Sequence, residues 1–166
     1  VADKRAELCL PEVKLEEKAF PVADLEAAGY HAVFIGQKTY NGVAILSPQP
    51  IDEATVVRNI PGFEDEQKRL IAATIDGVRV VCGYFPNGQA VGSDKFEYKR
   101  KWLAALTDWL AKELKTHERR VLAGDFNIAA EDRDAHPDWK DEIHVSEPER
   151  AAVRALQDLG LIDSFR

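Results

Sequence analysis

Asp125 and Asn127 stand two residues apart, directly after the apolar run Val121-Leu122-Ala123-Gly124. Two residues apart on a strand means the same face, so a carboxylate and an amide are expected to leave the end of a sheet side by side. Two other apolar runs end in a similar way. Cys9-Leu10-Pro11 passes into Glu12-Val13-Lys14, and Cys82-Gly83 passes into Tyr84-Phe85-Pro86-Asn87-Gly88. Functional side chains commonly sit on loops that a rigid scaffold holds. Neighbouring carboxylates attract Mg2+, a hard cation that accepts one or two of them together with substrate phosphate. A metal that activates water, with a carboxylate to position it, would suit phosphoester hydrolysis. Each segment taken alone also has an ordinary reading. Glu12 could be an exposed strand-end acid, Asp125-Phe126-Asn127 an Asx-type turn, and Tyr84 a half-buried core tyrosine. His136 and His144 flank an acidic, Trp-containing loop, but four zinc ligands at a known spacing are missing there.

The elements that must position these residues follow from apolar periodicity and turn chemistry. Glu7–Leu10 reads as a short strand ending at Pro11, which cannot donate to a central ladder. A helix is expected at about 22–28, then strands at 30–35 and 42–46 and a weaker one at 55–59. Leu70–Ile75 and Val78–Tyr84 flank Asp76-Gly77, the strongest short hairpin signal. A long helix is expected over about 94–115, capped by Ser93 or Asp94, with Leu103, Leu106, Leu110 and Leu114 on its core face. A strand is expected at 119–123. Ser146-Glu147-Pro148-Glu149 is a capping-box pattern before a helix reaching Leu159, and residues 161–165 begin another strand. An antiparallel hairpin disfavours a purely parallel, doubly wound sheet. The pattern is α/β, best met by a sandwich of sheets with helices outside.

The chain has 166 residues, which is the size of one domain, with 45% hydrophobic and 31% charged residues, an ordinary globular composition. No apolar run approaches the ~18 residues of a membrane span. The start lacks the apolar core and cleavage site of a signal peptide. It also lacks Met, so the true N-terminus is expected to be missing or processed. Two cysteines, Cys9 and Cys82, sit in apolar runs and are expected to be buried and reduced. The net charge of −7 argues against broad non-specific phosphate binding. It leaves room for an enzyme whose acidic site holds a divalent cation.

Seven stretches occur together and in order: CLPEVKLEEKAFP, YHAVFIGQKTYNGVAIL, GFEDEQKRLIAATI, VVCGYFPNGQ, KFEYKRKWL, VLAGDFNIA and LGLIDSFR. With them the chain resembles, from about Glu7 on, the exonuclease III family of DNA-repair nucleases in the exonuclease–endonuclease–phosphatase superfamily. The resemblance implies a four-layered α/β sandwich of two mixed sheets with outer helices. It implies Mg2+-dependent cleavage of duplex DNA on the 5′ side of abasic sites, often with 3′→5′ exonuclease activity, and admits Mn2+ as a substitute. By position, Glu12 matches the metal-ligand glutamate and Asp125 the aspartate that orients or deprotonates the attacking water. Asn127 matches the asparagine that fixes the phosphate, and Tyr84 the tyrosine beside it. Tyr40, Asn41, Arg69, Asn87 and Lys95 fall in segments that face the DNA backbone. The implied partner is double-stranded DNA with abasic sites or 3′ ends, and the implied protein is a cytoplasmic, nucleoid-associated monomer without membrane contact.

The chain departs from the family in two ways. Pro11 replaces a glutamine before the metal-ligand glutamate, removing a backbone donor and an amide. The family's opening Asn-x-Asn strand, and its closing Arg-Ile-Asp and Ser-Asp-His segments with the catalytic histidine, have no counterpart here. The chain is therefore expected to be the central part of one such domain, incomplete at both ends and weakly active or inactive by itself. The alternatives are a DNA-binding remnant without catalysis, or a phosphoesterase of the same superfamily acting on another substrate. In every version that includes catalysis, Glu12, Tyr84, Asp125 and Asn127 are expected to converge on one phosphate-sized hollow.

Overall fold

The computed structural model describes residues 6–164. They divide into two compact units. One holds residues 6–84 together with His117–Asp125; the other holds Phe85–Thr116 and residues 126–164.

The first unit is a pair of packed sheets. Strands β1 (Leu8–Pro11), β2 (His31–Ile35) and β3 (Val43–Ser47) form an antiparallel sheet in the order β1-β3-β2. Strands β4 (Val57–Arg58), β5 (Leu70–Ile75), β6 (Val78–Tyr84) and β7 (Arg120–Asp125) form a mixed sheet in the order β4-β5-β6-β7. The α/β sandwich expected from the sequence is present, with its first sheet antiparallel throughout and its second sheet mixed.

Packing between the sheets explains why their strands are so apolar. Val33, Ile35, Val43 and Ile45 of the first sheet share one core with Ile71, Ala73, Ile75, Val80 and Cys82 of the second. Each fully buried Ile or Val contributes about 2 kcal/mol of apolar transfer energy. Both cysteines carry free thiols. Cys9 packs against the cluster that contains Cys82, and the neighbouring thiol lowers the Cys9 pKa and, with burial, raises that of Cys82. Helix α1 (Val22–Ala27) leads into β2, and Phe20 stacks on Phe34 with ring centroids 4.0 Å apart. Pro11 sits at the last rung of β1, opposite Val43. That strand lies at a sheet edge, where proline's missing donor is tolerated.

The hairpin turns as its sequence demands. Asp76 and Gly77 have φ of 46° and 73°, the two positive angles of a type I′ turn. The weak strand expected at 55–59 is reduced to Val57–Arg58. Asp52 diverts the residues before it into a short 3-10 turn by accepting from Ala54 N at 2.9 Å.

The second unit contains α2 (Asp94–Glu113) and α3 (Glu147–Asp158). The Ser93 side chain caps α2 by accepting from Phe96 N at 3.1 Å. Trp102, Leu103, Leu106, Trp109 and Leu110 form the buried face of α2. Ser146 and Glu149 form the capping box of α3. Residues 161–164 make no strand, and Phe165 lies outside the described residues. No helix among the described residues is long and apolar enough to cross a membrane.

The parallel pairing of β6 and β7 brings Gly83 opposite Gly124 and Tyr84 opposite Asp125. Gly124 has φ +134°, and a Cβ built on it would fall 1.9 Å from the Gly83 carbonyl oxygen. Any side chain there must push the two strands apart. Gly124→Ala is expected to cost at least about 2 kcal/mol, from the backbone angle alone and before the clash is counted. Urea unfolding would measure it, and a variant as stable as the parent would show that the strands do not meet this closely.

Candidate active site at the strand ends

Three of the four residues expected to converge meet in the first unit. Tyr84 ends β6, Asp125 ends β7, and Glu12 directly follows β1. The Tyr84 phenol is held above its ordinary pKa by partial burial, by the charge of Glu12 and a hydrogen bond to it, and by the charge of Asp125; Arg69 opposes them. The phenol therefore stays protonated well past neutral pH, as a donor facing two acids. Glu12 occupies left-handed backbone, φ 57°, which is uncommon for a residue with a side chain. Its carboxylate also pairs with Lys14 at 3.1 Å, an exposed contact of small energetic value.

Beneath these groups runs a polar network that fixes Tyr84. Arg69 and Tyr84 are joined four ways. Tyr84 N donates to Arg69 O at 2.8 Å, Arg69 Nη1 donates to Tyr84 O at 3.2 Å, and the guanidinium lies 4.8 Å from the centre of the Tyr84 ring. The fourth link is the charge of Arg69 acting on the phenol. Gln67 Oε1 accepts from Arg69 Nε at 2.8 Å and from Asn41 Nδ2 at 3.3 Å. Gln37 Oε1 accepts from Asn41 Nδ2 at 3.2 Å and from Lys68 N at 2.9 Å.

Asn41, expected to face DNA, is only 6% exposed, and its amide nitrogen is engaged with both glutamines. Its carbonyl accepts from Lys14 N at 2.9 Å, so it braces the loop after Glu12. Tyr40, its neighbour, is 67% exposed. Gln37 and Gln67 escaped the sequence reading; the only signal for them was a pair of amides at the mouths of strands.

Asn127 belongs to the second unit. The same-face expectation for Asp125 and Asn127 does not hold, because β7 ends at Asp125 and Asn127 turns into left-handed backbone at φ 48°. Strand alternation therefore stops before Asn127. Its Nδ2 donates to Phe85 O at 3.1 Å. Phe85 stacks on Phe126 at 4.4 Å and tilts against Trp102 at 5.0 Å, so an aromatic cluster holds the residues that follow β6 and β7. Asn87 is exposed, with Oδ1 accepting from Gln89 N at 3.0 Å and Nδ2 lying 3.0 Å from His144 Nε2. Lys95 is exposed on the first turn of α2.

Among the described residues no three His, Cys, Asp or Glu side chains form a group that could hold a metal. Glu12 and Asp125 nevertheless both act on one phenol. Two carboxylates with no nitrogen or sulfur donor fit a hard cation that draws its other ligands from water and phosphate. The protein-side donors thus match Mg2+ or Mn2+ in kind.

The Tyr84 pKa reports this geometry. Glu12→Gln removes a neighbouring charge, so the phenol is expected to titrate at lower pH than in the parent. Arg69→Met removes the opposing charge and is expected to move it higher. Titration of 13C-labelled tyrosine by NMR would follow both, and a midpoint indifferent to Glu12→Gln would separate Glu12 from Tyr84.

Comparison with known proteins places the chain in a family. Residues 8–156 match the Endonuclease/Exonuclease/phosphatase family. The chain is 36% identical to exodeoxyribonuclease III of Haemophilus influenzae over 174 residues, covering 95% of this chain and 63% of that protein. It superposes on the 3′ phosphatase NExo from Neisseria, bound to a product DNA hairpin, with a TM-score of 0.95 and 46% identity, over 99% of this chain and 65% of that one. An AP endonuclease from Archaeoglobus fulgidus gives a TM-score of 0.88 and 37% identity, over 96% of this chain and 62% of that one. The chain thus spans a little under two thirds of the length of these relatives. It belongs to the endonuclease/exonuclease/phosphatase family, and its similarities within that family lie with exonuclease III and its kin.

Proposed function

We propose that the protein from which this chain comes is a Mg2+-dependent DNA-repair nuclease that cleaves the phosphodiester 5′ of abasic sites in duplex DNA and removes nucleotides from 3′ ends. The observation that carries the reading is the meeting of Tyr84, Glu12 and Asp125 at three strand ends, in a chain matching this family. Hydrolysis of a phosphodiester needs an in-line water, neutralised phosphate oxygens and a stabilised leaving oxyanion. Asp125 accepts the proton of the attacking water. Tyr84, kept protonated, donates to a phosphate oxygen, and Asn127 donates through its amide. Preorganised donors of this type are worth about 3 kcal/mol of barrier each. Glu12 holds the divalent cation, which when bound supplies positive charge to the phosphate and the leaving oxygen. Arg69 orients Tyr84, while Tyr40, Asn87 and Lys95 touch the DNA backbone. Asn41 acts from below, by bracing the loop after Glu12. The protein works as a monomer in the cytoplasm, at the nucleoid.

A second reading has its own support. The Neisseria relative, 46% identical, is a 3′ phosphatase. Release of phosphate from a DNA 3′ terminus uses the same attacking water and the same donors, with the terminal oxygen as leaving group.

Duplexes carrying an internal abasic analogue, a plain 3′ end or a 3′-phosphate, each with Mg2+ or with EDTA, separate the readings. Metal-dependent nicking beside the lesion supports the first, and phosphate release alone supports the second. Retarded DNA that is never cut and is indifferent to EDTA contradicts both. Asp125→Asn is expected to lower the rate about 1000-fold with an unchanged unfolding midpoint; a full rate would give Asp125 another role. Lys95→Ala is expected to weaken DNA binding and to reduce the slope of log K against log salt by about one, and an unchanged slope would remove Lys95 from the contacts.

A further inference from the structure

Lys99 lies on the second turn of α2, on the same face as Trp102, Leu103 and Leu106, and its side chain is completely buried. A buried ammonium is costly unless each proton finds an acceptor. Lys99 Nζ donates to Glu149 Oε1 at 2.5 Å, to the carbonyl of Asn127 at 2.8 Å and to the carbonyl of Asn87 at 3.2 Å. Glu149 is as fully buried, and its other oxygen accepts from Ser146 Oγ at 2.5 Å and Ser146 N at 3.3 Å. One ion pair therefore ties the residues following β6, the residues following β7 and the first turn of α3.

Stability alone gives a poor reason for such a pair, since well-packed apolar side chains often replace a buried ion pair without loss. The acceptors suggest a better one. Two of the three ammonium protons go to the main chain of Asn87 and Asn127. Asn127 sits in a left-handed conformation that the backbone does not prefer by itself. With its carbonyl on Lys99 and its amide on Phe85 O, both ends of the residue are held.

We propose that Lys99 is a positioning residue. It grips the carbonyls of Asn87 and Asn127, with Glu149 as counter-charge, and so presets two amide side chains for contact with a DNA phosphate. It touches no substrate itself. The proposal rests on the phosphodiesterase reading above for its use, and on the geometry of the second unit for its mechanism.

The double variant Lys99→Met with Glu149→Leu tests it, because it removes both charges together and keeps apolar packing. Its unfolding midpoint is expected to fall, because Ser146 and the carbonyls of Asn87 and Asn127 lose their partners; in the folded variant kcat is expected to be about 100-fold lower with KM changed by less than about threefold, as for a displaced catalytic group. Parent-level turnover in the folded double variant would overturn the proposal. A readout independent of turnover is the side-chain 15N–1H signal of Asn127 in NMR spectra. It is expected to shift and to exchange faster with water in the folded double variant. An unmoved Asn127 signal overturns the proposal whatever the activity. A moved signal in a protein whose parent never cuts DNA would remove the nuclease reading and leave the positioning intact. Glu149→Gln serves where the double variant does not fold. It keeps both carbonyl grips, so the Asn127 signal is expected to stay in place; displacement there would overturn the proposal.

Discussion

Tyr84 and Asp125 face each other across the last rung of a parallel ladder, and the site depends on that rung. One step before it, Gly83 and Gly124 approach so closely that a methyl group on Gly124 would collide with the Gly83 carbonyl. Parallel neighbours leave a sheet at the same end, so the pairing delivers a phenol and a carboxylate from chain segments about forty residues apart in sequence. The antiparallel sheet adds the third member. It packs on the same core, and β1 gives way directly to Glu12. The apolar core between the sheets therefore sets the spacing of the polar groups at their ends.

Burial is distributed unevenly around these groups, and the distribution has a logic. Glu12 and Asp125 are exposed. The parts that hold Tyr84 in place are covered: Asn41 is buried, and Gln37, Gln67 and Arg69 are half-buried. In these less polar surroundings a satisfied hydrogen bond is stronger and an unsatisfied one more costly, which makes the arrangement specific. No buried side-chain nitrogen or oxygen among the described residues lacks a partner. The second unit repeats the scheme with a charge pair at its centre, Lys99 with Glu149, and exposed Asn87 at its rim.

Much of the frame was legible in the sequence because it rests on local rules. Asp76-Gly77 dictated a hairpin turn, Ser93 capped α2, and the Ser146–Glu149 box opened α3. The strand ends carrying Glu12, Tyr84 and Asp125 were legible as places where apolar runs meet polar residues. Two features were not. Alternation along a strand says nothing once the strand ends, so it fixes no direction for Asn127, which follows the end of β7. Residue type does not reveal burial either: Asn41, in a segment expected to face DNA, spends its amide inside the fold. Lys99 could have been suspected from its helical spacing to Trp102, Leu103 and Leu106, which sets a lysine on an otherwise apolar stripe. Its partner Glu149, fifty residues away, lies beyond any local pattern.

The central claim is that Glu12, Tyr84 and Asp125 meet at one place at the strand ends, with Glu12 as the proposed holder of a divalent cation. Paramagnetic broadening by substoichiometric Mn2+, read on 13C-labelled carboxylates and tyrosines, tests it most directly. The geometry predicts that the signals of Glu12, Asp125 and Tyr84 broaden first, ahead of the exposed acids at Glu131, Asp132 and Asp134, and that Glu12→Gln removes the effect. Broadening that begins at those other acids, or that spares Glu12 while reaching the rest of the surface evenly, would contradict it.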